Sequence, residues 1–149
     1  MIRTIFRDTM GKWHENPSPD WLKSLIYNRG DDFWDVGAGD TGIDFYLNGE
    51  QKAHINLKGI ERYGFMVNHE YCGEAGPYRV LTTGEQTDEV VKAVVGGEPH
   101  PCFRKYFVPK ETAWEAIEHF LHTGERKKDL HWEIARMPEE ALRQADEAA

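Results

Sequence analysis

The chain has 149 residues, 40% of them hydrophobic and 30% charged, which predicts one domain whose core needs no disulfide or metal to hold it. Eighteen Lys and Arg residues against 26 Asp and Glu residues give a net charge of −8, which disfavours direct binding to nucleic acid phosphates and favours basic protein partners. The N-terminal segment lacks the apolar run of a signal peptide, and no stretch approaches the about 20 apolar residues that span a membrane. We therefore expect a cytoplasmic protein.

The first third of the sequence predicts a lead-in strand or loop over residues 1–19 and then a short helix. Four apolar side chains share one face of that helix, namely Trp21, Leu22, Leu25 and Ile26. Gly30 predicts a left-handed cap at its end. Residues 33–36 are predicted to form a short strand, and residues 43–47 alternate apolar and polar side chains before Asn48-Gly49, a strong hairpin-turn signal.

The middle of the chain predicts an antiparallel meander. Candidate strands cover residues 53–57, 65–71, 78–81 and 89–95, with a further strand at residues 131–134. Between them, residues 111–123 predict the major helix, because Pro109 precedes it, Gly124 follows it, and apolar side chains form one stripe. The predicted core residues are Trp114, Ile117, Phe120, Leu121 and Trp132.

These elements together predict an α+β fold. An antiparallel β-sheet meander of about five to seven strands is packed by one major C-terminal helix and a smaller N-terminal helix. We expect a single domain over residues 1–136 and a polar tail over residues 137–149.

A glycine-rich segment raises the alternative of cofactor binding. The residues from Gly37 to Gly42 fit G-x-G-x-x-G and precede Glu61 by about 20 positions, a pattern typical of dinucleotide and S-adenosylmethionine sites. Such a site needs a helix directly after the glycines. The following residues alternate with period two and predict a strand, so we interpret the glycines as a hairpin loop and expect no cofactor. A small S-adenosylmethionine-binding enzyme built on this loop stays as an alternative.

The sequence does not contain a complete set of residues for a metal site or for a nucleophilic active site. An H-x-E at His131 and the pair Pro101-Cys102 stand in reversed order for a zinc deaminase, and the second cysteine of that motif is absent. His119 and His122 are one helical turn apart but have no third ligand at a suggestive spacing. Cys72 and Cys102 are predicted to be buried or half-buried free thiols. We expect no metal and no catalytic residues.

One acidic segment is the best candidate for partner binding. From position 31 to position 50 the chain carries six acids and no Lys or Arg, with aromatic residues among them. Aromatic side chains surrounded by carboxylates suit an interface core with a charged rim. The predicted partner contacts are Asp31, Asp32, Trp34, Asp35, Asp40 and Asp44.

The C-terminal half carries a family resemblance. Residues 88–132 enter a helix through Val108-Pro109, continue with an Ala/Phe/Leu face, end in Thr-Gly-Glu-Arg at 123–126, and reach Trp132 soon after. This stretch resembles the first-described immunity-protein family of bacterial polymorphic toxin systems, whose members are often encoded beside nucleic-acid deaminase toxins. Lys127 and Lys128 stand where many members of that family have a proline.

The resemblance implies an inhibitor and not an enzyme. Such a protein binds a cognate toxin domain, basic and in a 1:1 complex, and neutralises it by occluding its active site. The implied toxin acts on nucleic acid, as a deaminase does. The implied protein itself contacts neither nucleic acid nor membrane. A general acidic adaptor with several partners is the remaining alternative.

Overall fold

A seven-stranded antiparallel sheet forms the frame of the protein. The computed structural model describes residues 1–34, 41–60, 62–95 and 98–138, so residues 139–149 of the predicted tail lie outside it. The strands of the sheet are β1 Ile2–Arg7, β2 Trp13–Glu15, β3 Thr41–Leu47, β4 Glu50–Ile60, β5 Gly64–Tyr71, β6 Arg79–Thr82 and β9 His131–Ile134, in the order β2-β1-β3-β4-β5-β6-β9. Strands β7 Val90–Val95 and β8 Glu98–Phe103 form a separate hairpin.

The helices are α1 Pro19–Asn28, α2 Asp31–Trp34 and α3 Lys110–Thr123, with a 3₁₀ turn at Arg104–Tyr106. Helices α1 and α3 cover one side of the sheet, because their apolar stripes share a single core with the inward side chains of the strands. The predicted α+β fold, with a sheet, a major C-terminal helix and a smaller N-terminal helix, is confirmed.

Helix α3 has the bounds that its sequence signals predict. Pro109 stands at its N-cap, and Gly124 ends it with φ of 71° while its N–H donates to the Phe120 carbonyl. A Cβ at Gly124 would lie 2.5 Å from a ring carbon of Phe45, so only glycine fits. Four of the five predicted core side chains are buried, and Trp132 is half-buried against the same core.

Two local predictions near α1 are wrong. The helix ends at Arg29 in an extended conformation with φ of −106° and ψ of 140°, and Gly30 does not adopt a positive φ. The Gly30 carbonyl instead accepts bonds from the N–H groups of Phe33 and Trp34, so residues 31–34 form a helical turn and not a strand. Residues 35 and 36 of that predicted strand lie outside the described residues.

The tight turn between β3 and β4 confirms the hairpin signal in the sequence. Asn48 has φ of 52° and Gly49 has φ of 83°, the two positive values that a type I′ turn needs. Strand β8 was not predicted because it contains Pro99 and Pro101, which cannot donate to a sheet. It pairs only with β7, so neither proline interrupts the seven-stranded sheet.

A buried histidine fixes the end of α3 against β5. His69 is 1% exposed, and its Nε2–H donates to the Gly124 carbonyl at 3.0 Å while its Nδ1 accepts from Arg126 Nε at 3.0 Å. Arg126 also forms an ion pair with Glu74 and lies over the Tyr71 ring. Burial is the main cause that lowers the pKa of His69 to about 4, and the adjacent Arg126 charge contributes to this lowering. The ring is therefore neutral at pH 7.

Candidate functional site

The side of the sheet away from α1 and α3 carries polar side chains. On β3, Ile43 and Phe45 enter the core, so the intervening Asp44 faces the opposite side. Asp44 pairs with His54 of β4, and His54 pairs with Glu70 of β5, which places these three side chains in one row. We call this polar side the open face.

The β7–β8 hairpin and the 3₁₀ turn cover only part of the open face. Phe103 and Tyr106 pack on Val80 of β6 to form a second, smaller core. Between this wall and Arg7 of β1 lies a concavity of about 670 Å³, which we call the sheet groove. The residues that line it include Arg7, His54, Asn56, Lys58, Asn68, Glu70, Tyr78, His100, Cys102 and Arg136. Its volume is in the range of ligand sites in proteins.

A short hydrogen-bond chain crosses the floor between β3 and β4. His54 Nδ1 lies 2.5 Å from Asp44 Oδ1, and His54 Nε2 lies 2.7 Å from Asn56 Oδ1. The hydrogen bond that His54 donates to the Asp44 carboxylate is the main cause that raises the pKa of His54. Since both neighbours are oxygen acceptors, the protonated ring satisfies both of them. A Cβ at Gly42 would lie 2.7 Å from His54 Cε1, so Gly42 leaves the space that the ring occupies.

An exposed tryptophan stands beside this chain. Trp13 of β2 pairs with Arg7 of β1 and is 62% exposed. It lines a small pocket of about 150 Å³ together with Arg7, Asp44 and His54. A large, rigid aromatic side chain left in solvent beside charged groups is a common centre of protein interfaces. The open face therefore has both a polar floor and an apolar contact at its rim.

Comparisons with known proteins add no family to these observations. No protein-family model matches the chain, and no curated protein is significantly similar to it.

The structure describes four of the six residues predicted to contact a partner. Asp31 begins α2, Asp32 is exposed and accepts hydrogen bonds from Arg29 and from the Gly30 N–H, and Asp44 lies on the open face. Asp35 and Asp40 lie outside the described residues, so their predicted contacts stay predictions.

Trp34 is a core residue, which corrects its assignment as a partner contact. It is 2% exposed, its ring meets Phe65 edge-on at 5.4 Å, and its Nε1–H donates to the Arg29 carbonyl at 3.2 Å. A Cβ at Gly59 would lie 2.8 Å from the Trp34 ring. The indole therefore attaches α2 to the helix side of the sheet. Asp44 faces the other side, so Trp34 and Asp44, both predicted to contact a partner, lie on opposite sides of the sheet.

The glycine loop does not lead into a helix. Residues 37–40 lie outside the described part of the chain, but Thr41–Leu47 is strand β3. The helix N-terminus that would face a nucleotide or S-adenosylmethionine is thus replaced by an extended segment. The described elements on either side of the loop are helix α2 and strand β3 and not two strands, so the interpretation of these glycines as a hairpin loop is not confirmed.

In the part of the chain that the structure describes, the residues do not assemble a metal site or a thiol active site. Within those residues no three His, Cys, Asp or Glu side chains are grouped to hold a metal ion. Cys72 is exposed, not buried or half-buried as predicted, whereas Cys102 is half-buried. His100 and Cys102 lie on one face of β8 and both line the groove.

None of the described helices is long and apolar enough to cross a membrane.

Sequence reasoning missed the groove itself. Alternate positions of β4 and β5 carry polar side chains, at His54, Asn56 and Lys58 and at Asn68 and Glu70. This period-two pattern was available in the sequence, since one side of each strand is apolar and the other polar. The sequence did not show that the two polar rows lie side by side beneath a hairpin.

Proposed function

We propose that this protein is an immunity protein, which binds a cognate bacterial toxin that acts on nucleic acid, such as a deaminase, and neutralises it by covering its active site. The observation that carries the proposal is the part of the open face that the described residues leave uncovered, with the exposed Trp13 at its rim. An ordered strand that holds a large aromatic side chain in solvent is suited to anchor a protein partner.

The charge of the chain supports a basic partner. A net charge of −8 steers a positively charged domain toward the protein, and such steering raises association rates by roughly 10–10³-fold. Asp44 is a predicted acidic contact on the open face, and it lines the same small pocket as Trp13. Asp32 lies on the helix side, so a partner would reach it only around the end of the sheet.

The residues that carry the family resemblance have structural roles here. Gly124 caps α3, Arg126 contacts His69, and the Trp132 Nε1–H donates to the Lys127 carbonyl at 3.1 Å. These contacts connect the end of α3 to β5 and β9. They lie on the helix side and at the end of α3, and they leave the open face free to vary with the partner.

Co-expression with a toxin domain tests the proposal. The toxin encoded beside this gene is expressed with and without the protein, and growth, toxin activity and the mass of the purified complex are measured. We expect restored growth, loss of toxin activity and a 1:1 complex. Growth arrest despite full expression of the protein would contradict neutralisation. Recovery of a mixed set of partners would indicate an adaptor.

A pair of variants tests the surface. Trp13→Ala removes the proposed anchor and is expected to weaken toxin binding by about tenfold or more. Ile134→Ala is the matched control, because Ile134 is also a strand residue with an exposed apolar side chain, at 53%, but lies at the opposite edge of the sheet on β9. We expect the control to change affinity by less than about twofold. Equal effects of both substitutions would exclude the open face as the contact surface.

A further inference from the structure

His54 lies on the open face with an oxygen atom against each of its ring nitrogens. Its Nδ1 is 2.5 Å from Asp44 Oδ1 on β3, and its Nε2 is 2.7 Å from Asn56 Oδ1, two positions along β4. A neutral imidazole has one N–H group and one lone pair, so only the protonated ring donates to both oxygens. The arrangement of these three side chains is therefore that of a charged histidine.

Loss of the His54 proton makes one of these two contacts unfavourable. The Asp44 carboxylate has no hydrogen to donate, so the neutral ring keeps its remaining N–H on Nδ1. The Nε2 lone pair then faces Asn56 Oδ1 at 2.7 Å, and two acceptors at that distance repel each other. The Asn56 side chain can remove this conflict, because a carboxamide that turns by about 180° places its N–H group where its oxygen was.

The surroundings favour a turn of the Asn56 amide over a displacement of the ring. A Cβ at Gly42 would lie 2.7 Å from His54 Cε1 and 3.1 Å from Asn56 Oδ1, so both groups lie close against β3. Asn68 is the cross-strand partner of Asn56 on the same face, and its Oδ1 is buried without a hydrogen-bond partner among the described residues. A turn of the Asn56 amide therefore also changes whether its N–H groups or its oxygen are available to this neighbour.

We propose that His54 and Asn56 form a proton-driven switch, in which loss of the His54 proton turns the Asn56 amide and so exchanges the donor and the acceptor that Asn56 presents to the sheet groove. Asn56 lines that groove. Its N–H groups are presented there while His54 is charged, and its oxygen is presented there while His54 is neutral. The switch operates within the free protein, so it does not depend on the toxin-binding proposal.

The groups around His54 set the pH at which the switch acts. The hydrogen bond that the ring donates to the Asp44 carboxylate is the largest cause that raises its pKa above 6.5, and burial opposes it. The hydrogen bond to Asn56 and the charge of Glu70 raise the pKa as well. The charged side chains and the second histidine that line the two concavities beside the ring are Arg7, Asp44, Lys58, Glu70, His100 and Arg136. The charged ring is therefore present below pH 6.5, and its proton is lost as pH rises through the folded pKa.

An NMR titration of the full chain, from about pH 5 to about pH 9, tests the switch. The ring ¹⁵N signals of His54 report which nitrogen carries a proton, and the Nδ2–H signals of Asn56 report its amide. We expect both to change with one midpoint, and a scalar coupling between Asn56 Nδ2 and His54 Nε2 to appear above it. Asn16 is the matched amide, because its Oδ1 accepts from the Thr4 N–H at 2.9 Å, and its signals should not follow this midpoint.

Two results of this titration would overturn the proposal. One is an Asn56 amide whose signals stay constant, without the coupling, while His54 loses its proton. The other is a neutral His54 ring that carries its proton on Nε2, because that ring would still donate to the Asn56 oxygen and the amide would have no reason to turn.

Two substitutions of Asn56 make the result specific. Asn56→Ala removes the acceptor and should lower the midpoint of His54, whereas Asn56→Asp supplies an acceptor that cannot become a donor and should raise it. His14 is the internal control, because its Nε2 also lies 2.8 Å from a carboxylate oxygen, that of Asp8, and its ring signals should titrate identically in all three proteins. Thermal melting verifies that both variants fold. Equal midpoints of His54 in the three proteins would contradict the role of Asn56.

Discussion

The buried His69 makes folding stability depend on pH in a direction that can be calculated. Its folded pKa is about 4, against 6.5 for an unperturbed histidine. Between these two values the unfolded chain binds a proton that the folded protein does not, so stability falls as pH falls. Each pKa unit corresponds to about 1.4 kcal/mol, which gives a full effect of about 3 kcal/mol below pH 4. Between pH 7 and pH 5 the expected loss is about 2 kcal/mol.

His69→Gln isolates this contribution. The glutamine amide has a donor for the Gly124 carbonyl and an acceptor for Arg126, but it carries no proton that titrates in this range. Urea unfolding of both proteins at pH 7, 6 and 5 gives the difference in free energy of unfolding at each pH. Other groups that titrate cancel in that difference. We expect the wild type to lose about 2 kcal/mol relative to the variant over this range.

The reasoning fails if the two unfolding free energies change in parallel from pH 7 to pH 5. A parallel change would mean that His69 takes up its proton in the folded state at an ordinary pH. The titration of the His69 Cε1–H signal by NMR checks this directly, because the folded protein should show no midpoint near 6.5 for this ring.

Three further substitutions test other contacts. Gly124→Ala should destabilise the fold by about 2 kcal/mol or more in urea unfolding, because it adds a Cβ at positive φ and 2.5 Å from the Phe45 ring; an unchanged midpoint would refute the close approach. Trp34→Ala should cost about 3–5 kcal/mol in the same assay, whereas a surface tryptophan would cost little. Asp44→Asn should lower the pKa of His54, measured by NMR, since Asp44 is the main group that raises it. The His54–Asp44 contact stabilises the folded protein at low pH, and this stabilisation is lost as pH rises through the folded pKa of His54. The free energy of unfolding of the variant should therefore differ most from that of the wild type under acidic conditions.

Local signals in the sequence were sufficient to predict the elements whose ends are set by residues close by in the chain. Helix α3 has Pro109 before it and Gly124 after it, and the Asn48-Gly49 turn requires two positive φ values that this pair adopts readily. The apolar alternation of β3 to β5 was likewise visible, because one side of each strand enters the core. These features depend on residues a few positions apart.

Features that depend on contacts between residues far apart in the chain could be seen only in the tertiary structure. Residues 31–34 resemble a strand in isolation, yet Trp34 reaches Phe65 and Gly59 only when the segment turns as a helix, so burial of the indole overrides local preference. The sheet groove arises because the β7–β8 hairpin packs on Val80 and leaves the neighbouring polar rows uncovered. The alternation of residues along each strand was enough to predict a polar and an apolar side. Only the packing of remote elements determined which polar side chains share a concavity, because the period of a strand carries no information about what lies above it.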